Sequence, residues 1–300
     1  MLNSPRRSLL GALALALAAL AILAPALARA QADPTSRSAN RPVAPFRIVG
    51  NVYYVGASDV TSYLIATPAG HILLDGGFVE TAAQIAANVE KLGFKLSDVK
   101  VLLNSHAHYD HAGGLAELKR RTGASLAASA ADALLLARGG HGDFRFGGSL
   151  VFPPVVADRI LEDGNTVALG GTVMTAHLTP GHTPGNTTWT TTSTENGRTY
   201  AVAFLGSASI NPGVVLLGDP KYPGIAGDYA KTFQVMKALP CDVFLSSHGS
   251  FFDLQGKAKR LAAGESPNPF VDPAGCQAYV RRMERAYEEQ LRKEKKAARP

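Results

Sequence analysis

The chain has 300 residues, of which 46% are hydrophobic and 18% charged, with 30 Gly and 18 Pro. These proportions exclude a disordered tail, a coiled coil, a collagen-like repeat and a miniature disulfide scaffold, and leave an ordinary globular chain able to bury a core. The formal charge of +6 sits at the two ends: residues 1–30 hold Arg6, Arg7 and Arg29 with no acid, and the last twenty residues carry a surplus of +4, so the body is near neutral. A high isoelectric point set by the termini argues against nucleic acid as a partner.

Arg6-Arg7, an apolar run from Leu9 to about Ala24, Pro25 and the triplet Ala28-Arg29-Ala30 follow the order of a secretory signal cut after Ala30. An uncleaved membrane anchor is the alternative, disfavoured by Pro25 and the Ala-x-Ala site, so no stable anchor is expected after cleavage. The arginine pair also fits a twin-arginine exporter loosely. Export points to the periplasm and makes a disulfide between Cys241 and Cys276 the natural inference, against two buried free thiols.

Residues 31–44 read as a flexible leader, with order beginning near Phe46. Val52–Val55, Ser62–Ala66 and His71–Leu74 are short β-prone runs separated by Gly or Pro, which predicts an antiparallel meander. Val79 to about Lys91 has helical spacing and stops at Gly93; Val99–Leu103 is an apolar strand; Leu115 and Leu118 begin a helix closed by Gly123; a further short strand and an Ala/Leu helix at Asp132–Ala137 follow. In the second half, Val173–Leu178 is a strand, and Thr187–Thr192 and Thr199–Leu205 form a hairpin through Asn196-Gly197. A helix from near Asp228 to Pro240, a strand at Val243–Leu245 and a last helix at about Gln277–Lys293 complete the pattern. The expected class is α+β: two sheets packed face to face with helices outside, two similar halves in one domain over 45–293, and a basic tail at 294–300.

His106-Ala107-His108-Tyr109-Asp110-His111 carries the chemistry. If the strand geometry before it persists, His106 and His108 leave on one face, and Asp110 and His111 aim at a neighbouring point before Gly113-Gly114 let the chain double back. Four nitrogen and oxygen donors within six residues, with no Cys, suit Zn²⁺ and permit other borderline metals. His182 in Pro180-Gly181-His182-Thr183-Pro184-Gly185 and His248 after Ser247 lie at strand ends and are the further ligand candidates. His71 and His177 read as strand residues and His141 as part of a Gly-rich loop; none of the three is expected to bind metal. Asp75 is expected to hold the outer nitrogen of a metal-bound imidazole, with a strand-ending turn as the alternative.

On these residues the chain resembles the metallo-β-lactamase superfamily, with its H-x-H-x-D-H motif and two later histidines on an αββα sandwich, over essentially the whole mature chain. More narrowly it resembles the third subclass of class B metallo-β-lactamases, through Gly206-Ser207-Ala208-Ser209-Ile210-Asn211-Pro212-Gly213, Tyr222-Pro223, Asp228-Tyr229, Leu239-Pro240-Cys241-Asp242, Ser247-His248 and Asn268-Pro269-Phe270-Val271-Asp272-Pro273 before Cys276. The resemblance implies two zinc ions, the first on His106, His108 and His182, the second on Asp110, His111 and His248. It implies hydrolysis of the β-lactam amide of penicillins, cephalosporins and carbapenems by metal-held hydroxide, hence antibiotic resistance, with Asp110 helping to orient the nucleophile. It also matches Cys241 and Cys276 to the family disulfide.

Relatives that open lactones or thioesters place a bridging Asp where this chain has Ser207; the nearest downstream acid, Asp219, reads as a turn residue. Ser207, Ser209 and Asn211 are then expected to hydrogen-bond a substrate carboxylate, with turn chemistry as the alternative. Val214 stands where some subclass members carry an oxyanion-stabilising Tyr. The lesser readings are a lactone or thioester hydrolase of the same fold, and a secreted, non-catalytic zinc-binding protein using the basic C-terminal helix. The chain is expected to act as a monomer on a small molecule.

Overall fold

In the computed structural model, residues 38–298 are described, and they belong to one compact unit. The export signal expected at 1–30, the first half of the leader and the last two residues of the basic tail lie outside them. The described part of the leader is tied down: Ala39 accepts hydrogen bonds from the backbone N–H groups of Asp59 and Val60, and Arg41 accepts one from Ser58. The backbone donors after β2 that need partners therefore recruit residues 39–41.

The first sheet has seven strands in sequence order: β1 (Phe46–Val49), β2 (Val52–Tyr54), β3 (Tyr63–Thr67), β4 (Gly70–Leu74), β5 (Val99–Leu103), β6 (Ser125–Ser129) and β7 (Arg159–Leu161). β1 to β4 form the antiparallel meander, and β4 to β7 run parallel. The second sheet orders as β12 (Val243–Ser246), β11 (Arg198–Leu205), β10 (Thr187–Glu195), β9 (Thr172–Leu178) and β8 (Thr166–Leu169). Asn196 (φ 51°) and Gly197 (φ 78°) both take the left-handed backbone that a two-residue hairpin turn requires, which is why that dipeptide joins β10 to β11.

Side-chain alternation assigns the layers. In β3 and β4, Tyr63, Ile65, Ile72 and Leu74 enter the core between the sheets, whereas Leu64 and Leu73 enter a second core beneath helices. That outer layer is built by α1 (Thr81–Lys91), which contributes Ile85 and Val89, and α3 (Leu115–Thr122), which contributes Leu115 and Leu118; α3 follows the short α2 (Tyr109–Ala112) and ends at Gly123, φ 68°. α4 (Ala130–Ala137) is capped by the Ser129 hydroxyl, and α5 (Ile225–Ala238) and α7 (Pro273–Ala297) cover the other sheet through Phe233, Met236 and Tyr279. This is the αββα sandwich expected, with the helix α6 (Leu254–Ala262) and the strands β1, β7 and β8 added. α7 runs four residues past the expected domain end at 293, because Glu294 has backbone partners, Leu216 and Leu217, on the body. Among the described residues no helix is long and apolar enough to cross a membrane.

Cys241 and Cys276 are disulfide-bonded and clip the approach to β12 onto α7. At a sequence separation of 35, the bridge restricts the unfolded chain by about 3–4 kcal/mol. Replacing both by Ala is expected to lower the unfolding free energy by that amount in urea titrations; an unchanged midpoint would refute a stabilising role.

Candidate metal centre

The parallel strands end where the site begins. β5 delivers Asn104-Ser105-His106, α2 carries Asp110 and His111, the β9–β10 connection carries His182, and His248 follows β12. A tight crossing makes this possible: a Cβ at Gly114 would collide with the Gly76 carbonyl oxygen, so only glycine lets the chain after α2 pass the end of β4.

The two proposed ligand sets converge. Ligand atoms of His106, His108 and His182 lie within 4.8 Å of one another, as do those of His106, Asp110 and His111. His248 Nε2 stands 3.2 Å from His111 Nε2 and 3.5 Å from Asp110 Oδ2, and His111 Nε2 is 3.3 Å from the same carboxylate oxygen. All five imidazoles and Asp110 thus gather at one place, as the sequence predicts.

Each ring also has one nitrogen turned to the protein and one turned inward. His182 Nδ1 meets the Ser209 carbonyl at 2.7 Å, His248 Nδ1 meets Asp59 at 3.0 Å, and His106 Nδ1 meets the Ser105 hydroxyl at 3.1 Å. His108 Nε2 faces Asp143 at 3.5 Å and His111 Nδ1 faces Asp75 at 3.8 Å. Hydrogen-bonded oxygen partners on the outer nitrogens, as at His182, His248 and His106, orient imidazoles as ligands, whereas His108 Nε2 and His111 Nδ1 have a carboxylate nearby but no hydrogen bond. Inside, the buried His106 Nε2 has no hydrogen-bond partner, and burying such a group unpaired costs about 1–3 kcal/mol. A cation bound among these nitrogens removes that cost, so the residues fit a metal pair.

Electrostatics favour ligation at His106, His182 and Asp110. Burial and the surrounding imidazoles hold His106 well below the ordinary histidine range, and burial with His108 brings His182 down to about 3, so both stay neutral and able to ligate. Burial opposes ionisation of Asp110, but His111 and His248 outweigh it and keep the carboxyl ionised. His248 is raised, since the Asp59 hydrogen bond overcomes its burial.

Asp75 sits at φ 64° beyond β4, and its carboxylate accepts the Ser105 N–H at 2.7 Å and the Ser105 hydroxyl at 2.6 Å. It therefore braces the approach to His106 as well as facing His111. Three acids that sequence reasoning passed over do similar work: Asp59 on His248, Asp143 on His108, and Asp132, whose carboxylate accepts the Ala107 N–H at 2.9 Å and the Thr183 hydroxyl at 3.3 Å. Asp132 thereby joins the two loops holding His106, His108 and His182.

Burial pushes the Asp132 carboxyl up to about 7, against 3.8 for the ordinary group. A raised acid binds a proton more tightly folded than unfolded, so its contribution is complete below about pH 4 and is lost as pH rises through 7. Asp132→Asn is expected to gain on the parent, on the order of 3 kcal/mol between pH 4 and 8, in urea unfolding of zinc-free protein. A difference that does not move with pH would refute this.

The remaining predicted residues are placed as follows. Ser207 is buried, with its hydroxyl 3.0 Å from that of Ser209, while Ser209 and Asn211 are half-buried. Asp219 is a turn residue whose carboxylate accepts the Lys221 N–H. His71 in β4 packs against Phe94, His177 in β9 pairs with Thr190, and His141 is exposed.

The Metallo-beta-lactamase superfamily profile matches residues 55–248, and the chain belongs to that superfamily. Among solved structures it is similar to the native FEZ-1 metallo-β-lactamase of Legionella gormanii, at 44% identity and TM-score 0.84, covering 85% of this chain and 98% of that one. It is also similar to LRA-12, a class B3 di-zinc metallo-β-lactamase from an Alaskan soil metagenome, at 39% identity and TM-score 0.81, covering 87% and 97%. Among curated proteins, a hydroxyacylglutathione hydrolase of Rhodospirillum rubrum is 28% identical over 165 residues, 55% of this chain and 52% of that protein. The chain spans about half the length of that curated relative.

Proposed function

We propose that this chain is a zinc-dependent hydrolase that opens the amide bond of β-lactams, exported to the periplasm and acting as a monomer. His106, His108 and His182 would hold one zinc ion, and Asp110, His111 and His248 the other. Export is supported by the Arg6-Arg7 signal pattern and by the disulfide; a monomer suffices because one chain supplies all six donors.

The observation that carries the proposal is the inward set of imidazole nitrogens, unpaired at His106, beside an ionised Asp110. Zinc bound there supplies Lewis acidity for the lactam carbonyl and makes water reactive near neutral pH. The chain does the rest. Asp110, held as the carboxylate, accepts a hydrogen bond from the attacking water and orients it. Ser209 and Asn211 donate to the substrate carboxylate, with Ser207 fixing the Ser209 hydroxyl. Phe146, 5.1 Å from the His108 ring, forms an apolar wall beside the site. Val214 contributes no polar group to the oxyanion, and its side chain packs into the core.

Hydrolysis of thioesters or lactones is the lesser reading, favoured by the curated relatives. In the described residues Asp110 is the one carboxylate within either ligand group, which leaves a bridging acid unsupplied. The test is to load residues 31–300 with zinc and follow opening of a penicillin, a cephalosporin and a carbapenem, with and without chelator, beside a thioester and a lactone. Chelator-sensitive β-lactam turnover is expected. Turnover of the thioester or lactone alone would overturn the substrate assignment.

A further inference from the structure

The segment that follows the serines is held from behind by the end of the C-terminal helix. Asn211, Pro212, Gly213 and Val214 form a turn: the Val214 N–H donates to the Asn211 carbonyl at 3.1 Å, and Gly213 takes φ 82°, the conformation that the third position of a type II turn demands. On the far side of this turn, Gln290 Nε2 donates to the Val214 carbonyl at 2.7 Å. The Glu294 carboxylate accepts the Leu216 N–H at 2.8 Å and the Leu217 N–H at 2.8 Å, and it also receives Gln290 Nε2 at 2.9 Å. Val214 and Leu216 are buried beneath, while Val215 and Leu217 face solvent.

Local helix chemistry does not explain Glu294. It lies in the last turns of α7, where the negative end of the helix dipole disfavours a carboxylate and the neighbouring Lys295 and Lys296 are the favoured type. Two backbone N–H groups of another segment compensate the misplaced charge, and hydrogen bonds to an ionised acceptor are the strong ones.

The same turn touches the loop beside the metal ligands. A Cβ on Gly213 would lie 3.2 Å from the Arg145 guanidinium, and Tyr222 packs edge-on against Phe144 at 4.9 Å. That loop also carries Asp143 and Phe146, both against His108. Two loops thus meet beside the site, and one of them is fastened to α7.

We infer that Gln290 and Glu294 are positioning residues that hold the turn of Asn211 in the register that receives the substrate, so that the last turns of α7 set substrate affinity from outside the site. This rests on the proposed hydrolase, although the fastening itself can be read without any substrate. The amide and the carboxylate fix the Val214 carbonyl and the Leu216 and Leu217 N–H groups; the turn then fixes Asn211, and through it the approach of the substrate anion. Displacing a positioning group by a fraction of an ångström weakens substrate capture while leaving the ligands themselves in place.

The experiment compares the zinc-loaded parent with Glu294→Ala, Glu294→Gln and Gln290→Leu, using whichever of a β-lactam, a thioester or a lactone the parent turns over. If only the thioester or lactone is opened, the β-lactam reading fails and the fastening is still tested on that substrate. In Glu294→Ala, amide exchange at Leu216 and Leu217 is expected to accelerate by about tenfold or more, with KM rising about tenfold, kcat within about twofold and zinc content unchanged. Glu294→Gln is expected to recover most of the loss, because its amide oxygen still accepts, and Gln290→Leu to raise KM less. Unchanged KM despite accelerated exchange would overturn the inference. So would a fall in kcat together with loss of zinc, which would mark a purely structural role.

Discussion

His111→Ala is expected to leave one zinc ion where the parent holds two, and to lower kcat/KM by about 10²–10³-fold. His111 is fully buried and shares its Nε2 environment with Asp110 at 3.3 Å and His248 at 3.2 Å, so its loss removes one of the three donors proposed for the second ion. Loss of a residue that merely orients a ligand typically costs about 10–100-fold in metal affinity, and removal of the ligand itself costs at least as much. His106, His108 and His182 are untouched, so the first ion remains. Catalysis would then lose the Lewis acidity and water activation that a second ion would supply, a contribution of several kcal/mol. Metal analysis after dialysis against a weak chelator, with kinetics on the same sample, gives the result. His141→Ala, at an exposed position, is the control expected to keep both metal content and rate. Unchanged metal and rate in His111→Ala would remove His111 from the ligand set.

The clustering of these side chains was legible because most of it is local. His106, His108, Asp110 and His111 fall within six residues after an apolar strand, and neither half of that pattern needs tertiary information. His182 and His248 were found by a weaker rule, that loops at strand ends gather into sites, and the sandwich topology brings both to the edge where β5 stops. The acids that orient these rings had no comparable signal. Asp59 meets a histidine 189 positions away, and Asp143 and Asp132 lie in a glycine-rich loop and a short helix where an isolated acid reads as a cap or turn residue. Asp75 was singled out because metal-bound imidazoles need partners for their outer nitrogens, against the alternative of a strand-ending turn acid. In the fold, the strong alternations were read correctly, whereas β7 has three residues on a sheet edge and α6 buries only Leu254 and Lys257, too little pattern for periodicity to detect. The end of α7 was set too early for a related reason: residues 294–297 look like a solvated basic tail until the partner of Glu294 is known.

Trp189→Ala is expected to cost about 3–5 kcal/mol of stability and to damage the metal site with it. Trp189 is the single tryptophan, fully buried on β10 between the sheets, where Ala176 and Phe204 are its cross-strand neighbours. Truncating a buried indole removes its transfer free energy and leaves a cavity, which accounts for that magnitude. The indole also does something a phenyl ring cannot: its Nε1 donates to the Asn104 carbonyl at 3.1 Å. Asn104 in turn donates from Nδ2 to the His106 carbonyl at 2.9 Å and to Asp75 Oδ1 at 3.3 Å. The core between the sheets is thereby joined by hydrogen bonds to the strand end that carries the first ligand. Trp189→Phe separates the two effects: most of the packing is kept, while a buried carbonyl loses its partner at about 1–3 kcal/mol. Because the substitutions remove the natural fluorophore, far-UV circular dichroism in urea is the measure of stability, with bound zinc determined at each step. The expected order of stability is parent, then Phe, then Ala, with zinc affinity falling in the Phe variant although its core remains nearly full. Full zinc affinity in Trp189→Phe would show that His106 is held by Asp75 and Ser105 alone, and that the link from the core to the site has no mechanical consequence.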